Sequence, residues 1–283
     1  MLRCTSYESV IRLDLARTIA GRGRYWTTAY LVDGLLVDSG CAHSASELSA
    51  FLRDRPPGTL FNTHSHEDHI GGNGLLQRAF PGLEIYAHPL ALPVLADPRR
   101  NQPLHPYRRV TWGWPQASAG KPVVDGDVIQ AGRSTFRVIA APGHAPDHLC
   151  LYEPERGWLF SGDLFVGGQD RALLAEADIW SVIASLKKVA GLELTCLFPG
   201  SARVRENPHS ELQEKIAYLE EMGARTLDLH ARGWGVDAIA RALFGGPLFI
   251  ELFTLGHFSR RNLVRSYLRK SESFEALDER DST

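Results

Sequence analysis

A chain of 283 residues with 44% hydrophobic content can bury a large core, as one big domain or two unequal ones. Its 31 Lys+Arg against 33 Asp+Glu leave a formal net charge of -2, which gives no field able to hold a polyanion against salt and so disfavours nucleic acid as a partner. The opening Met1-Leu2-Arg3-Cys4 lacks the apolar run of a secretory signal, and no apolar stretch approaches the roughly 20 residues that cross a bilayer, so a soluble, cytoplasmic protein is expected. Cys4, Cys41, Cys150 and Cys196 are scattered with no Cys-x-x-Cys pair, which predicts buried free thiols rather than disulfides or a thiolate metal knuckle.

In chain order, Tyr25 to Val32 and Leu35 to Asp38 read as strands around Asp33-Gly34, a pair suited to the positive φ angles of a tight hairpin. Ser44 followed by Glu47 forms a capping-box pattern ahead of Leu48, Phe51 and Leu52, predicting a short helix. Thr59-Leu60-Phe61 reads as a buried strand entering a histidine cluster, and Gly71-Gly72 precede a helix from about Asn73 to Phe80. From Asp97 to Gly120 no periodicity survives, and His105, Tyr107, Arg108, Arg109, Trp112 and Trp114 are expected on a long loop, either walling a cleft or packing onto the domain.

Strands resume at 128–131, 135–140, 149–153 and 158–161. Asp178 caps a helix carrying Ile179, Val182, Leu186 and Val189 on one face, and 194–198 is a further strand ending at Pro199-Gly200. After residue 205 only helices are predicted, at 212–227, 236–244 and 259–268. The organisation expected is a catalytic domain over 1–205, a helical or winged-helix-like subdomain over 206–270, and a disordered tail over 271–283.

The chemistry concentrates in Thr63-His64-Ser65-His66-Glu67-Asp68-His69. In an extended segment His64 and His66 project to one side, and a following turn can return Asp68 and His69 to a neighbouring point, giving two adjoining ligand sets. Imidazole nitrogen and carboxylate oxygen suit zinc and similar divalent ions. Pro142-Gly143-His144 and Gly162-Asp163 each follow directly on a predicted strand, so both residues stand at strand exits.

The order His-x-His-x-Asp-His, Pro-Gly-His, Gly-Asp resembles the metallo-β-lactamase superfamily over roughly residues 20–205. Asp38-Ser39-Gly40 is similar to the Asp-x-Gly that supports the site in that family. The resemblance implies an α+β, four-layer αββα sandwich with metals at one rim. It also implies that His64, His66 and His144 hold a first ion, Asp68 and His69 a second, with Asp163 bridging. Many members place a histidine after the strand-terminal Pro-Gly, whereas this chain has Ser201, so the second ion should be held more weakly. His209 and His257 could substitute, with surface or capping roles the stronger expectation, and His148 is expected beside the ligands or in plain packing.

A divalent ion makes water nucleophilic near neutral pH, so the expected function is hydrolysis of an ester, thioester or related small-molecule bond, with Asp68 orienting the water and moving its proton. The expected cofactor is zinc, as one or two ions, ahead of iron or manganese. A homo-oligomer stays open. Two other functions are weighed: a mono-iron sulfur-oxidising dioxygenase, and a nuclease that would use Arg260, Arg261, Arg265 and Arg269, which otherwise form a solvated helix face.

Overall fold

A computed structural model describes residues 1–102 and 104–278, with side chains described up to residue 269. The chain divides into two compact units. The first comprises 1–140, 147–166 and 193–208, the second 141–146, 167–192 and 209–283. The second unit thus takes in more than the helices after residue 205, because the helix Ile179–Ala190 packs with the helices His209–Ala231 and Arg260–Asp278.

The first unit holds two sheets. Seven strands follow chain order in one: Leu2–Tyr7, Val10–Ile19, Arg22–Val32, Leu35–Val37, Thr59–Phe61, Glu84–Ala87 and Lys121–Pro122. Pairing is antiparallel through the first four and parallel thereafter. Asp33 and Gly34 adopt φ of 48° and 81°, the left-handed pair that a two-residue hairpin requires, and Val32 pairs with Leu35. The two N-terminal strands were not among the expected elements.

The second sheet is built from Val128–Ala131, Ser134–Ala140, Leu149–Glu153, Trp158–Gly162, Cys196–Pro199 and Arg205–Glu206. Tyr30, Val37 and Phe61 of the first sheet share one buried cluster with Phe136, Leu151, Phe160 and Phe198 of the second, so the sheets face each other across it. A second cluster, with Leu13, Leu15, Leu36, Leu60 and Ile85, lies under the helices Ala45–Leu52 and Asn73–Ala79. Strands with both faces covered carry near-continuous apolar runs, as Leu149–Glu153 and Trp158–Gly162 do.

Three expectations are corrected here. The helix at Ala45–Leu52 forms without its capping box: Ser44 Oγ donates to the Cys41 carbonyl, and Glu47 instead accepts from the chain's N-terminal amine. The stretch 97–120 is not all loop, since prolines at their first positions start the short helices Pro98–Asn101 and Pro106–Thr111. Cys4 is exposed, whereas Cys41 and Cys150 are buried thiols as expected.

The second unit is helical apart from a two-stranded ladder, Leu173–Leu174 with Phe258–Ser259. Asp178 caps Ile179–Ala190 as predicted, accepting from the backbone N–H groups of Trp180 and Ser181. Tyr267 is fully buried, edge-on to Trp180, with its hydroxyl donating to the Leu219 carbonyl. Lys215, also buried, donates to the Gly168 carbonyl and pairs with Asp170 at 2.7 Å. The last helix runs to Asp278, past the expected tail boundary at 271, and residues 279–283 of that tail lie outside the described residues. No helix among the described residues is long and apolar enough to cross a membrane.

Candidate metal centre

The strand Thr59–Phe61 delivers the chain to one rim of the first unit, and residues 62–72 turn there before the helix Asn73–Ala79 begins. Glycine is required beside this turn: a Cβ on Gly71 would sit 2.3 Å from the Ala42 backbone nitrogen, and one on Gly72 would sit 2.6 Å from the Ser39 carbonyl. The donors of His64 and His69 on this turn and of Asp163, which follows the strand Trp158–Gly162, lie within 4.8 Å of one another. His69 Nε2 is 3.5 Å from Asp163 Oδ2 and 3.8 Å from Asp68 Oδ2. His64 Nε2 is 3.0 Å from His66 Nδ1.

The outer ring nitrogens are spoken for. His69 Nδ1 donates to Asp38 Oδ2 at 2.7 Å, and Asp38 also accepts from the Thr63 backbone N–H and hydroxyl, both at 2.8 Å. Thr63 Oγ1, having donated its proton to Asp38, accepts from His64 Nδ1 at 3.0 Å. One buried carboxylate therefore fixes two imidazoles, one directly and one through a hydroxyl, and sets the direction of both Nε2 atoms. Asp38, expected to support the site, makes its contacts to Thr63 and His69.

Asp163 is set by its backbone. Gly162 has φ of +49°, and a Cβ there would lie 2.7 Å from His148 Nε2 and 2.8 Å from the Thr63 side chain. His148 Nε2 accepts from the Asp163 backbone N–H at 3.1 Å, so His148 stands beside that candidate ligand. Asp147 Oδ2 accepts from the Ser65 backbone N–H at 2.9 Å and ties the start of the strand Leu149–Glu153 to the histidine turn.

His144 lies on the segment 141–146, which belongs to the second unit. There Gly143 and Pro142 are clamped against the helix Ile179–Ala190: the Gly143 carbonyl accepts from Asp178 N–H, and the Pro142 carbonyl from Ser185 Oγ. Ser201 is half-buried behind Gly200, whose Cβ position lies 2.7 Å from Asp163 Oδ1 and from His69 Cε1. Of the two candidate substitutes, His257 pairs with Glu176 at 2.7 Å, and His209 starts the helix His209–Ala231, both in the second unit.

The electrostatics ask for a cation. Burial opposes charge on His69, but Asp163, then Asp38 and Asp68, together hold its pKa well above the usual histidine value. Burial pushes Asp68 up, with Asp163 adding to the rise against the lowering by His69. Without a metal the carboxylates favour a proton on His69; a divalent ion would take the place of that proton at Nε2 while Nδ1 keeps donating to Asp38, and the residues present fit such an ion.

Two residues of this rim escape prediction from sequence. Glu67, fully buried between two candidate ligands, pairs with Arg108 of the helix Pro106–Thr111 at 2.6 Å. Burial lifts the Glu67 pKa to about 7 against the lowering by Arg108. Arg108 is thus a buried partner of the histidine turn, which matches the packed alternative of the two expected for its segment. The alternation that put His64 and His66 on one side could have flagged Glu67 on the other, but nothing in sequence pointed to Arg108, 41 residues on.

The sequence matches the family model described as Metallo-beta-lactamase superfamily over residues 23–201, more than half of the chain. It is 35% identical over 114 residues to a hydroxyacylglutathione hydrolase of Legionella pneumophila (strain Paris), covering 40% of this chain and 36% of that protein. It is 30% identical over 191 residues to an atrochrysone carboxyl ACP thioesterase of Aspergillus fumigatus, covering 64% of this chain and 51% of that one. The chain thus spans about a third to a half of the length of these two curated relatives. Among solved structures, the metallo-beta-lactamase family protein TTHA1429 from Thermus thermophilus superposes with TM-score 0.62 at 20% identity over 93% of this chain and 91% of that one. TTHA1623, solved in a di-iron-bound form, is 30% identical with TM-score 0.52, over 67% of this chain and 94% of that one. The α+β fold, the order of the histidine and aspartate motifs and the family match agree: the chain belongs to the metallo-beta-lactamase superfamily.

Proposed function

We propose that this chain is a metal-dependent hydrolase whose substrate class is a thioester. The observation that carries the proposal is the inward Nε2 of His69, facing Asp163 and Asp68 while its Nδ1 is committed to Asp38. The names of the two curated relatives, a hydroxyacylglutathione hydrolase and an acyl-carrier thioesterase, support the substrate class.

By their places in the family's motif, His64, His66 and His144 would hold a first ion and Asp68 and His69 a second, with Asp163 shared; within the first unit, the donors of His64, His69 and Asp163 lie close enough to hold one ion. For His144 the support is its motif and the covalent continuity of its segment, which leaves the first unit at Ala140 and re-enters it at Asp147, the residue that holds Ser65. Zinc suits these donors, and iron is the alternative that the di-iron form of TTHA1623 supports. Ser201 supplies no imidazole, so the second ion is held more weakly than the first.

A divalent ion held here supplies Lewis acidity and makes water nucleophilic near neutral pH. Asp68 accepts the proton of the attacking water at a carboxylate oxygen. It then returns that proton to the leaving sulfur as the acyl carbon–sulfur bond breaks, so that water and thioester become carboxylic acid and thiol. Asp38 holds His69 throughout, and His148 holds the Asp163 backbone.

The test pairs elemental analysis of protein purified without added metal with a screen of thioesters, lactones, phosphodiesters and β-lactams. Zinc at one to two equivalents with thioester cleavage is the expected result. Stoichiometric iron with oxygen uptake would favour the sulfur dioxygenase instead. Salt-sensitive cleavage of single strands would favour a nuclease, a reading weakened because Arg260 is buried on Glu251 and Arg261 is paired with Asp237.

A further inference from the structure

Asp68 sits in a closed circuit of contacts within the first unit. Its carbonyl accepts from Thr27 Oγ1 at 3.0 Å. Thr27 follows an irregularity in strand pairing, where Tyr25 and Trp26 stand opposite Ala16 alone and Tyr25 takes a φ of +57°. The Tyr25 ring meets the Trp112 ring edge-on with centroids 5.8 Å apart. Trp112 ends the helix Pro106–Thr111, and the Trp112 backbone N–H donates to the Arg108 carbonyl at 2.8 Å. Arg108 Nε then reaches Glu67 Oε1 at 2.6 Å, and Glu67 is covalently joined to Asp68.

This pair is an expensive way to join a helix to a turn. Both side chains are taken out of water, and Glu67 Oε2 has no hydrogen-bond partner among the described residues. An apolar pair of similar volume would hold the two segments together without the desolvation cost of two charges. What the ion pair adds is direction: a short, charge-assisted bond from a planar guanidinium fixes where the Glu67 side chain points, and with it the peptide that carries Asp68.

We propose that Glu67 and Arg108 are a positioning pair that, together with the Thr27 bond to the Asp68 carbonyl, sets the Asp68 carboxylate toward His69 and Asp163. The proposal rests on the metal-dependent reading above. It assigns the pair no contact with substrate. Partners that orient ligands in this manner typically contribute about 10- to 100-fold in metal affinity or activity.

The experiment uses the full chain loaded with cobalt(II), whose visible ligand-field absorption reports ligand geometry independently of turnover. Glu67→Gln, Arg108→Lys and the apolar double variant Glu67→Met/Arg108→Met are compared with wild type for cobalt spectrum, affinity for the second cobalt equivalent, melting temperature, and kcat and KM on a thioester. Expected in all three variants is a shifted second-equivalent spectrum, about 10-fold weaker binding of that equivalent, and kcat lower by about 10- to 100-fold with KM within about twofold of wild type. The double variant guards against misfolding of the single ones, because it leaves no unpaired buried charge. A double variant that melts like wild type and keeps its cobalt spectrum and kcat would show the pair to be structural only, and overturns the proposal. A wild-type protein that takes up no cobalt overturns the functional reading itself, and the proposal with it.

Discussion

The two units bury ionisable groups to different ends. At the histidine turn, three carboxylates, those of Asp38, Asp68 and Asp163, surround one imidazole, and a fourth carboxylate, Glu67, leaves an oxygen without a partner among the described residues. In the helical unit the buried charges meet opposites: Lys215 with Asp170, and Arg260 with Glu251 through two guanidinium contacts at 2.6 and 3.1 Å and a backbone N–H at 2.9 Å. The four carboxylates of the first arrangement outnumber Arg108 and His69, the cationic groups the described residues set among them, whereas the second closes on itself. Perturbed groups whose charges do not balance internally mark function, whereas balanced ones mark scaffold.

The contrast breaks most sharply on metal removal. Chelation should abolish thioester turnover while far-ultraviolet circular dichroism stays unchanged, and Asp68→Asn should lower kcat by about 10²- to 10⁴-fold in a folded protein. A fully active Asn variant excludes the proton-transfer role. Next in size is Asp38→Ala, which strips the acceptor from Thr63 and His69. Metal affinity should fall about 10- to 100-fold and stability by about 1–3 kcal/mol, read by competition with a chelator and by urea unfolding.

A smaller effect sharpens the asymmetry between the ions. Stepwise chelation should remove one equivalent before the other in wild type, and Ser201→His should bring the two closer; equal retention in wild type would contradict the weaker second position. Lys215→Met should cost about 1–3 kcal/mol of stability without changing metal content, because it breaks only the self-contained unit. Loss of metal from that variant would erase the distinction between the units.

The smallest effect is in acid. Burial alone would raise Glu251, but the Arg260 guanidinium and backbone N–H hold its pKa below the ordinary carboxylate value. A depressed carboxylate stabilises the fold at pH above its unfolded-state value, and that contribution is lost as pH falls through the folded-state value. Metal-free wild type should therefore lose melting temperature on acidification more steeply than Glu251→Gln, and parallel curves would show that the pair carries no such linkage.

Sequence carried the parts of the site whose donors are local. His64, His66, Asp68 and His69 lie within six residues, and the Asp33-Gly34 hairpin is a two-residue signal, so alternation and turn chemistry were enough. Asp38 and Asp163 could be placed by the strands that end at them. The Glu67–Arg108 pair could not, since its partners are 41 residues apart and Arg108 sits where no periodicity betrays a helix. The capping box at Ser44 failed for a related reason: its hydroxyl had the Cys41 carbonyl within reach, and Glu47 had the N-terminal amine, so tertiary partners displaced the local pair. Nor could sequence assign 167–192 to the second unit, because that follows from which helices the amphipathic segment Ile179–Ala190 packs against.

Gly200 divides what substitution can reach at this rim. The smallest added side chain would collide at 2.7 Å with both an Asp163 oxygen and the His69 ring, whereas the neighbouring Ser201 is only half-buried. A saturation library across the two positions should therefore return a cliff beside a plateau: almost every codon at 200 inactivating, and many at 201 retained. Of these two positions, only the later one leaves room for variation that could retune a second ion.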